Sequence, residues 1–360
     1  MTTAGTGLGS RSSKEALIDL DAVAHNTRVL ARIADPAALM AVVKADGFGH
    51  GAVPVARTAL RHGATWLGVA SPAEALALRA SGITAPVLVW LYVPGDDLTD
   101  LVRAEVDLSV SSAAQLSTIV SAAARSGLRA RIHLKVDTGL ARGGATLDEW
   151  PHLIRAARLH ERSAAVVVRG IWSHLAGADL DGDPSVAKQT ANFEYASDLA
   201  RAVGLTTPLR HLANSAALLA HRGTGYDLVR AGIALYGVEP LAGRSHGLRA
   251  AMTVRAEVID RTTALAVLPI GFADGVPRRT AGRAEVLLHG TRCRVRQVAL
   301  DQIVVDAGDL PVVRGDTAVI FGPGDAGEPT VEDWAGWADT NPHEILTGIG
   351  AKVPRRVFRV

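Results

Sequence analysis

From Leu39 onward, short runs rich in Val, Ile and Leu alternate with longer stretches in which apolar residues recur three and four positions apart. The short runs read as strands buried on both faces, and the longer stretches as helices that turn one face to a core. This reading gives eight strands: Leu39–Val43, Trp66–Val69, Val87–Trp90, Asp107–Val110, Ala130–Lys135, Ala165–Ile171, Leu209–Leu212 and Leu228–Ala231. Segments such as Ala52–His62, Ala113–Ser126 and Val186–Val203 carry the helical period. Eight strand–helix units in about 200–250 residues predict a closed (β/α)8 barrel of the TIM type. An open, doubly wound sheet is the alternative that the same α/β alternation allows.

After Tyr236 the rhythm changes to short alternating runs separated by turn signals: Met252–Ile259, Ala264–Ile270, Glu285–Leu288, Gln302–Asp306 and Thr317–Phe321. These predict a β-rich C-terminal domain over residues 237–360. Ala16–Asp19 is a candidate strand ahead of the barrel, so the first domain is expected over residues 16–236, and this strand is free to pair with the second domain. Residues 1–15, MTTAGTGLGSRSSKE, read as a flexible leader without the apolar core of a secretory signal.

Composition narrows the function. Hydrophobic residues are 48% of the 360, but aromatic ones only 4%, so small aliphatics fill a core of the size that a large α/β domain needs. Lys and Arg (38) nearly balance Asp and Glu (36), and no basic run is interleaved with aromatics, which argues against nucleic acid as a partner. The single Cys293 excludes an internal disulfide framework and a multi-cysteine zinc site. The longest uncharged run, Leu108–Ala124, is too short and too polar for a membrane span, which needs about 20 apolar residues. The expected setting is the reducing cytoplasm.

A closed barrel of this kind carries its chemistry at the carboxyl ends of its strands. The polar residues that fall there are Lys44 in VVKADGFGHG, Lys135, Asp137 and Arg142 in KVDTGLARGG, His174 in WSHLAGAD, Asn214 and Ser215 in ANSAA, and Arg230 and Gly232 in LVRAGIALYG. Each has an ordinary reading beside the functional one. A lysine after a strand is usually a solvated loop residue. Here Gly47, Gly49 and Gly51, around Phe48 and His50, let the backbone turn sharply and keep Lys44 close to the strand end. A buried lysine with a lowered pKa offers a free amine to a carbonyl. His174 reads either as a satisfied core histidine or as a ring that stacks on a flat ligand. Ser215 reads as a helix N-cap or, at the same helix end, as part of a phosphate seat to which Gly232 and Ile233 add N–H groups. A lysine at one end and a phosphate seat at the other suit pyridoxal 5'-phosphate better than a metal or a nicotinamide. No GxGxxG follows the first strand, and no His/Asp/Glu cluster has metal-ligand spacing.

The segments VVKADGFGHG, GVASPAEALALRASGI, HLKVDTGLARGG, WSHLAGAD, LANSAA, VRAGIALYG, LPIGFADGVPRR and EILTGIGAKVPR stand in the order and approximate spacing of the alanine racemase family. The chain resembles these fold-type III pyridoxal phosphate enzymes from Ala16 to Phe358. The resemblance implies that Lys44 holds the cofactor covalently and exchanges a proton on the D-amino-acid face. By the same resemblance Arg142, Leu300 and Asp301 lie on the substrate side, and Lys135 is a candidate carbamylated lysine that holds Arg142. His174 would stack on the cofactor ring and Arg230 would face its pyridine nitrogen. Phe48, Asn214, Ser215, Gly232, Ile233 and His343 would complete the cofactor site. A small amino acid is the implied substrate, and a homodimer with sites shared between subunits the implied assembly.

The chain departs from the family pattern in one consistent direction. Family members carry the second base, a tyrosine of the partner subunit, in a hairpin before the strand that ends in LPIGFADG. Here the connection is Asp260 to Val267, DRTTALAV, without a tyrosine. Phe48, Phe272 and His343 stand where the family usually has tyrosine, and Leu300 where methionine is usual. His343, Asp260, Thr262 and Thr263 are the candidate replacement acids. The expected activity is alanine racemisation with the second base missing. The alternatives are one-base chemistry on a small amino acid (decarboxylation, elimination or aldol cleavage) and a non-catalytic cofactor-binding protein.

Overall fold

The computed structural model describes residues 12–358 except 94, 181, 206–208 and 221–222, so residues 1–11 of the expected leader lie outside the described residues. The first element is β1 (Lys14–Asp19), which begins two residues earlier than Ala16 and leads into a helix over Leu20–Ala34.

One compact unit spans Leu20–Arg249. Its strands are β2 (Ala38–Val42), β3 (Ala64–Val69), β4 (Val87–Val89), β5 (Asp107–Val110), β6 (Ala130–Lys135), β7 (Val166–Trp172), β8 (Leu209–His211) and β9 (Leu228–Ala231). They form one parallel eight-stranded sheet in the order β8-β7-β6-β5-β4-β3-β2-β9. The Asp227 N–H donates to Arg210 O (3.1 Å) and the Arg230 N–H to Ala213 O (3.1 Å), which joins the two ends of that sheet. The sheet is therefore a barrel, and the open alternative is set aside. Every strand of the sequence reading is present with its ends moved by at most two residues. The move that matters is in β7, which continues to Trp172.

Short apolar runs form these strands because both faces are covered. The interior holds Met40, Trp66, Leu88 and Leu228, all buried, together with His133, His211 and Arg230. Some of the helices between the strands start at polar caps. Ser71 accepts from the Glu74 N–H while the Glu74 carboxylate returns to the Ser71 N–H, and Ser112 caps the helix Ala113–Ser126.

The other unit joins β1 to the chain from Ala250 onward. It is a nine-stranded sheet in the order β11-β12-β15-β14-β13-β16-β10-β1-β17, with β10 (Met252–Glu257), β11 (Asp260–Arg261), β12 (Leu265–Leu268), β13 (Glu285–Leu288), β14 (Thr291–Val298), β15 (Ile303–Asp306), β16 (Thr317–Phe321) and β17 (Arg355–Phe358). Strand β1 runs antiparallel to β10 and parallel to β17. Three strands escape the sequence reading, the two-residue β11 among them. In β14, TRCRVRQV, the period of two is present, but Arg292, Arg294 and Arg296 on the exposed positions leave only Cys293, Val295 and Val298 to carry it. Strand β17, RRVF, buries little. No described helix is long and apolar enough to cross a membrane.

The change of rhythm after Tyr236 assigns residues 237–249 to the second domain, yet they cluster with the barrel. The reason is Asn26, fully buried in the helix Leu20–Ala34. Its Nδ2 donates to Leu235 O (3.1 Å) and Arg249 O (2.8 Å), and its Oδ1 accepts from the Arg249 N–H (2.8 Å). Replacing Asn26 by leucine strands these backbone groups at a cost of about 1–3 kcal/mol. Urea denaturation of Asn26→Leu against the parent is expected to read that loss, and an unchanged midpoint would show that water takes over the three bonds.

Candidate active site

The polypeptide leaves β2 through Lys44 and enters a run of left-handed residues: Ala45 (φ 52°), Asp46 (φ 50°), Gly47 (φ 62°) and Phe48 (φ 53°). Gly47, Gly49 and Gly51 turn at positive φ as expected (62°, 80° and 92°), and Ala45, Asp46 and Phe48, which carry a Cβ, share that conformation. Each such residue costs roughly 1–2 kcal/mol in this conformation. The surroundings hold the turn. Gly47 N–H donates to Val43 O (2.9 Å), Gly49 N–H to Ala45 O (2.9 Å) and Ala52 N–H to Asp46 Oδ1 (2.7 Å). From the next helix, Glu74 Oε1 accepts the Ala45 N–H at 2.6 Å, while Oε2 accepts from Ala70 (2.8 Å) and Ser71 (3.0 Å). The Tyr236 ring packs on Phe48 and His50 (4.8 and 4.5 Å), and its hydroxyl donates to Val42 O. Lys44 is half-buried beside this turn. Burial, followed by the Arg142 charge, pushes its ammonium pKa down, against the Glu74 carboxylate.

Lys135, at the end of β6, lies with its Nζ 4.9 Å from the Trp172 ring and donates to Arg142 O (3.1 Å). The Arg230 guanidinium lies 5.0 Å from the same ring. Arg230 is almost wholly buried, and its Nη2 donates to Ser173 O (2.8 Å) and Leu212 O (3.0 Å) and its Nη1 to His211 O (2.9 Å), with no carboxylate among these partners. Burial lowers its pKa to about 9, which leaves it a cation at neutral pH. His174 shows the combined field. Burial and then the charges of Arg230, Arg142, Lys135 and Lys44 push its pKa down to about 3, so the imidazole is neutral.

At the other end of this group, Asn214 rather than Ser215 caps the helix Ser215–Ala220, through an Ala217 N–H to Asn214 Oδ1 bond of 3.0 Å. Asn214 Nδ2 donates to Leu175 O. The Ser215 hydroxyl crosses to the neighbouring loop, where it accepts from the N–H groups of Gly232 (2.9 Å) and Ala234 (3.5 Å). Ile233 lies between those two donors and is buried. A Cβ on Gly232 would sit 3.4 Å from Phe48 Cζ, so the loop packs closely on that ring. A hydroxyl and converging N–H groups make an anion seat, and the four cations around His174 call for negative charge. The donor set therefore fits a phosphorylated, carbonyl-bearing cofactor.

The structure thus gathers Lys44, Phe48, Lys135, Arg142, His174, Asn214, Ser215, Arg230, Gly232 and Ile233 at the carboxyl ends of the barrel strands. Leu300, Asp301 and His343 belong to the β-rich unit. Leu300 and Asp301 are exposed in the turn between β14 and β15, where Leu300 O accepts from the Ala273 N–H (2.8 Å). His343 is exposed on the helix Pro342–Gly348. Asp260 begins a short hairpin, β11 to β12, whose turn holds Thr262 and Thr263. Sequence reasoning missed Glu74 and Trp172. Glu74 stands at the fourth position of Ser71-x-x-Glu74, a pattern that signals a helix cap and hides the second bond to Ala45. Trp172 is the last residue of β7 and reads as core.

The model of "Alanine racemase, N-terminal domain" matches residues 18–240, and that of "Alanine racemase, C-terminal domain" matches residues 254–357. The chain is 46% identical to an alanine racemase of Frankia casuarinae, with 98% of each chain covered. Among solved structures it is similar to the alanine racemase of D-cycloserine-producing Streptomyces lavendulae, at a TM-score of 0.94 and 42% identity over 97% of this chain and 98% of that one. It is also similar to the alanine racemase of Bartonella henselae with covalently bound pyridoxal phosphate, at a TM-score of 0.87 and 29% identity over 97% and 100% of the two chains.

Lys135 offers a direct reading of the charge crowding. Burial, then Arg142 and Arg230, push its pKa down from 10.5 to about 8, against Asp137. Because the folded-state pKa is lowered, the cost of its charge is full below about pH 8 and gone above about 10.5. In bicarbonate-free buffer, Lys135→Met is expected to raise the thermal midpoint at neutral pH, and the gain should shrink as pH climbs through that window. A gain that stays constant with pH would assign the effect to packing on Trp172 instead.

Proposed function

The chain belongs to the alanine racemase family, and from that premise we propose that it is a pyridoxal 5'-phosphate-dependent isomerase that interconverts L- and D-alanine with one of its two proton-handling faces reduced. The observation that carries this reading is the set of four cations, Lys44, Lys135, Arg142 and Arg230, acting on one neutral imidazole above an anion seat. Ser215, Gly232, Ile233 and Asn214 would hold the phosphate end, with Phe48 beside Gly232, and Lys44 the carbonyl end. His343 is proposed as a further cofactor contact. When bound, pyridoxal phosphate supplies an electron sink that acidifies the substrate Cα–H.

The remaining chemistry is that of the side chains. Lys44, with its basicity lowered by burial, offers a free amine that takes and returns the Cα proton on the D-amino-acid face. Arg142 pairs with the substrate carboxylate, and Leu300 and Asp301 are proposed to close the substrate side. His174, kept neutral, packs as a flat ring without adding charge. Arg230 stays a cation and opposes a second positive charge on a ring nitrogen placed against it. That restrains the electron sink and favours return of the proton to Cα over transamination. Lys135, with a pKa of about 8, has an appreciable fraction of neutral amine, the form that takes up carbon dioxide. A carbamate there would set an anion between Arg142 and Arg230 and relieve the field.

On the opposite face the chain offers no tyrosine. Its four tyrosines are Tyr92, Tyr195, Tyr226 and Tyr236, all within the barrel unit. A positioned acid or base is worth about 10²–10⁴-fold, so racemisation is expected to fall by that order unless His343, Asp260, Thr262 or Thr263 replaces it. The missing tyrosine also favours the second reading, one-base chemistry on a small amino acid, which needs only Lys44. The proposed assembly is a cytoplasmic homodimer, and light scattering that gives a monomer at micromolar concentration would overturn it.

The deciding experiment incubates the cofactor-loaded protein with L- and D-alanine in heavy water and follows Cα deuterium and chirality together. Deuterium is expected to enter D-alanine faster than either enantiomer inverts. Inversion that keeps pace with exchange would show a second acid at work, and exchange in neither enantiomer would overturn alanine as substrate. Ser215→Ala removes one hydrogen bond to a charged group, worth about 1.5–3 kcal/mol, so cofactor affinity measured by fluorescence titration should drop about 10–150-fold.

A further inference from the structure

Behind Arg230 the barrel interior holds a file of polar groups that the chemistry above does not use. Arg230 Nη1 lies 3.2 Å from His211 Nδ1, His211 Nε2 lies 2.9 Å from His133 Nδ1, and His133 Nε2 lies 3.4 Å from Asp107 Oδ1. Asp107, His133 and His211 are each wholly buried, and Arg230 is 4% exposed. Neither Asp107 oxygen nor His133 Nε2 has a hydrogen-bond partner within normal geometry, so each is the nearest complement that the other has. We infer that Asp107 is a positioning residue for Arg230: it fixes the tautomers of His133 and His211 and, through them, supplies the buried guanidinium with its counter-charge.

The direction of the file follows from its two ends. A guanidinium only donates and an ionised carboxylate only accepts. Arg230 therefore donates to His211 Nδ1, which leaves the His211 proton on Nε2 to be given to His133 Nδ1. His133 in turn keeps its proton on Nε2, which faces the Asp107 carboxylate at 3.4 Å. Both imidazoles are neutral in this arrangement, because an extra proton on either would set donor against donor. Burial, followed by His133 and Arg230, holds the His211 pKa well below the ordinary range, in agreement with that geometry.

The barrel is shaped around this file. A Cβ on Gly170 of β7 would lie 2.2 Å from His133 Nδ1, so the strand gives up a side chain to seat that ring. Trp172 stacks on His211 at 5.6 Å with an interplanar angle of 3°, and Trp66 meets His133 edge-on at 5.4 Å. The charges nearest Asp107 from the neighbouring elements are Arg169, with Nε at 3.7 Å and its guanidinium 5.4 Å from the Trp66 ring, and Arg79, whose charge is coupled to Asp107, Arg131 and Glu105. The consequence for the reaction rests on the proposed place of Arg230 against the cofactor nitrogen. Three carbonyls and His211 take the four Nη protons of the guanidinium, which leaves only its Nε–H to face that nitrogen.

The test is nitrogen-15 NMR of the holoenzyme labelled at histidine, with His133 and His211 assigned from single histidine-to-glutamine variants. Both residues are expected to show a protonated Nε2 and an unprotonated Nδ1 across the neutral pH range. An Nδ1–H tautomer or an imidazolium signature at either residue would overturn the inference, and the parent protein alone decides this. Asp107→Asn keeps the shape and removes the charge. It should shift the His133 Nε2–H proton upfield and also move His211 Nδ1, whereas a change confined to His133 would overturn the coupling. Where that variant does not fold, Gly170→Ala displaces the His133 ring without touching either end. It should leave His211 a mixture of tautomers, and a single retained tautomer would overturn the inference. The tautomers are read whether or not the visible absorption of the cofactor is present, so failure of the cofactor reading and failure of this one are distinguishable.

Discussion

The structure depends on an excess of positive charge that the barrel gathers and does not neutralise. Lys44, Lys135, Arg142 and Arg230 come from three strand ends, with Lys135 and Arg142 sharing that of β6, and their fields meet at His174. Two carboxylates, Glu74 and Asp137, act on single members of the group. Such crowding destabilises the fold wherever it is partly buried, because each charge loses hydration and gains a repulsive neighbour. A protein keeps such a cost where a ligand repays it. A phosphate, a substrate carboxylate and a carbamate on Lys135 each carry the compensating sign.

The same logic explains the backbone at Lys44. A left-handed run through Ala45, Asp46 and Phe48 is unfavourable in isolation, and strain of this kind persists only when the surroundings over-determine it. Three elements do so here: the Glu74 carboxylate from the helix that follows β3, the Asp46 side chain that caps Ala52, and the Tyr236 ring against Phe48 and His50. Glu74 is the economical part. One carboxylate closes a helix cap, fixes the turn that carries the lysine, and is the sole charge that opposes the lowering of its pKa.

The fold was legible because its signal is local and repeated. Each barrel strand is a short apolar run between helical stretches, and the chain spells that rhythm eight times. The residues at the strand ends were legible for a related reason, since the closed barrel leaves one place for polar side chains that follow strands. What stayed hidden is what needs three dimensions. Asn26 and Arg249 are 223 positions apart, and only the fold makes their hydrogen bonds a boundary between units. Strand β14 was hidden by its own solvent face, where three arginines dilute the alternation. Asp107, His133 and His211 each read as ordinary strand residues, because a file across a barrel has no spacing in the sequence.

The costs that the fold bears are unequal along the chain, and this asymmetry bears on the proposed chemistry. On the Lys44 side, strain, clamps and charge are all in place, and each is costly to keep without a function. The β-rich unit, by contrast, carries a short hairpin, Asp260–Leu268, and no tyrosine. If the cofactor served no chemistry, the strained turn at Lys44 would relax under mutation at least as readily as a surface hairpin would shorten. Retention of that costly turn favours the proposed proton transfer at Lys44, whatever group stands opposite it.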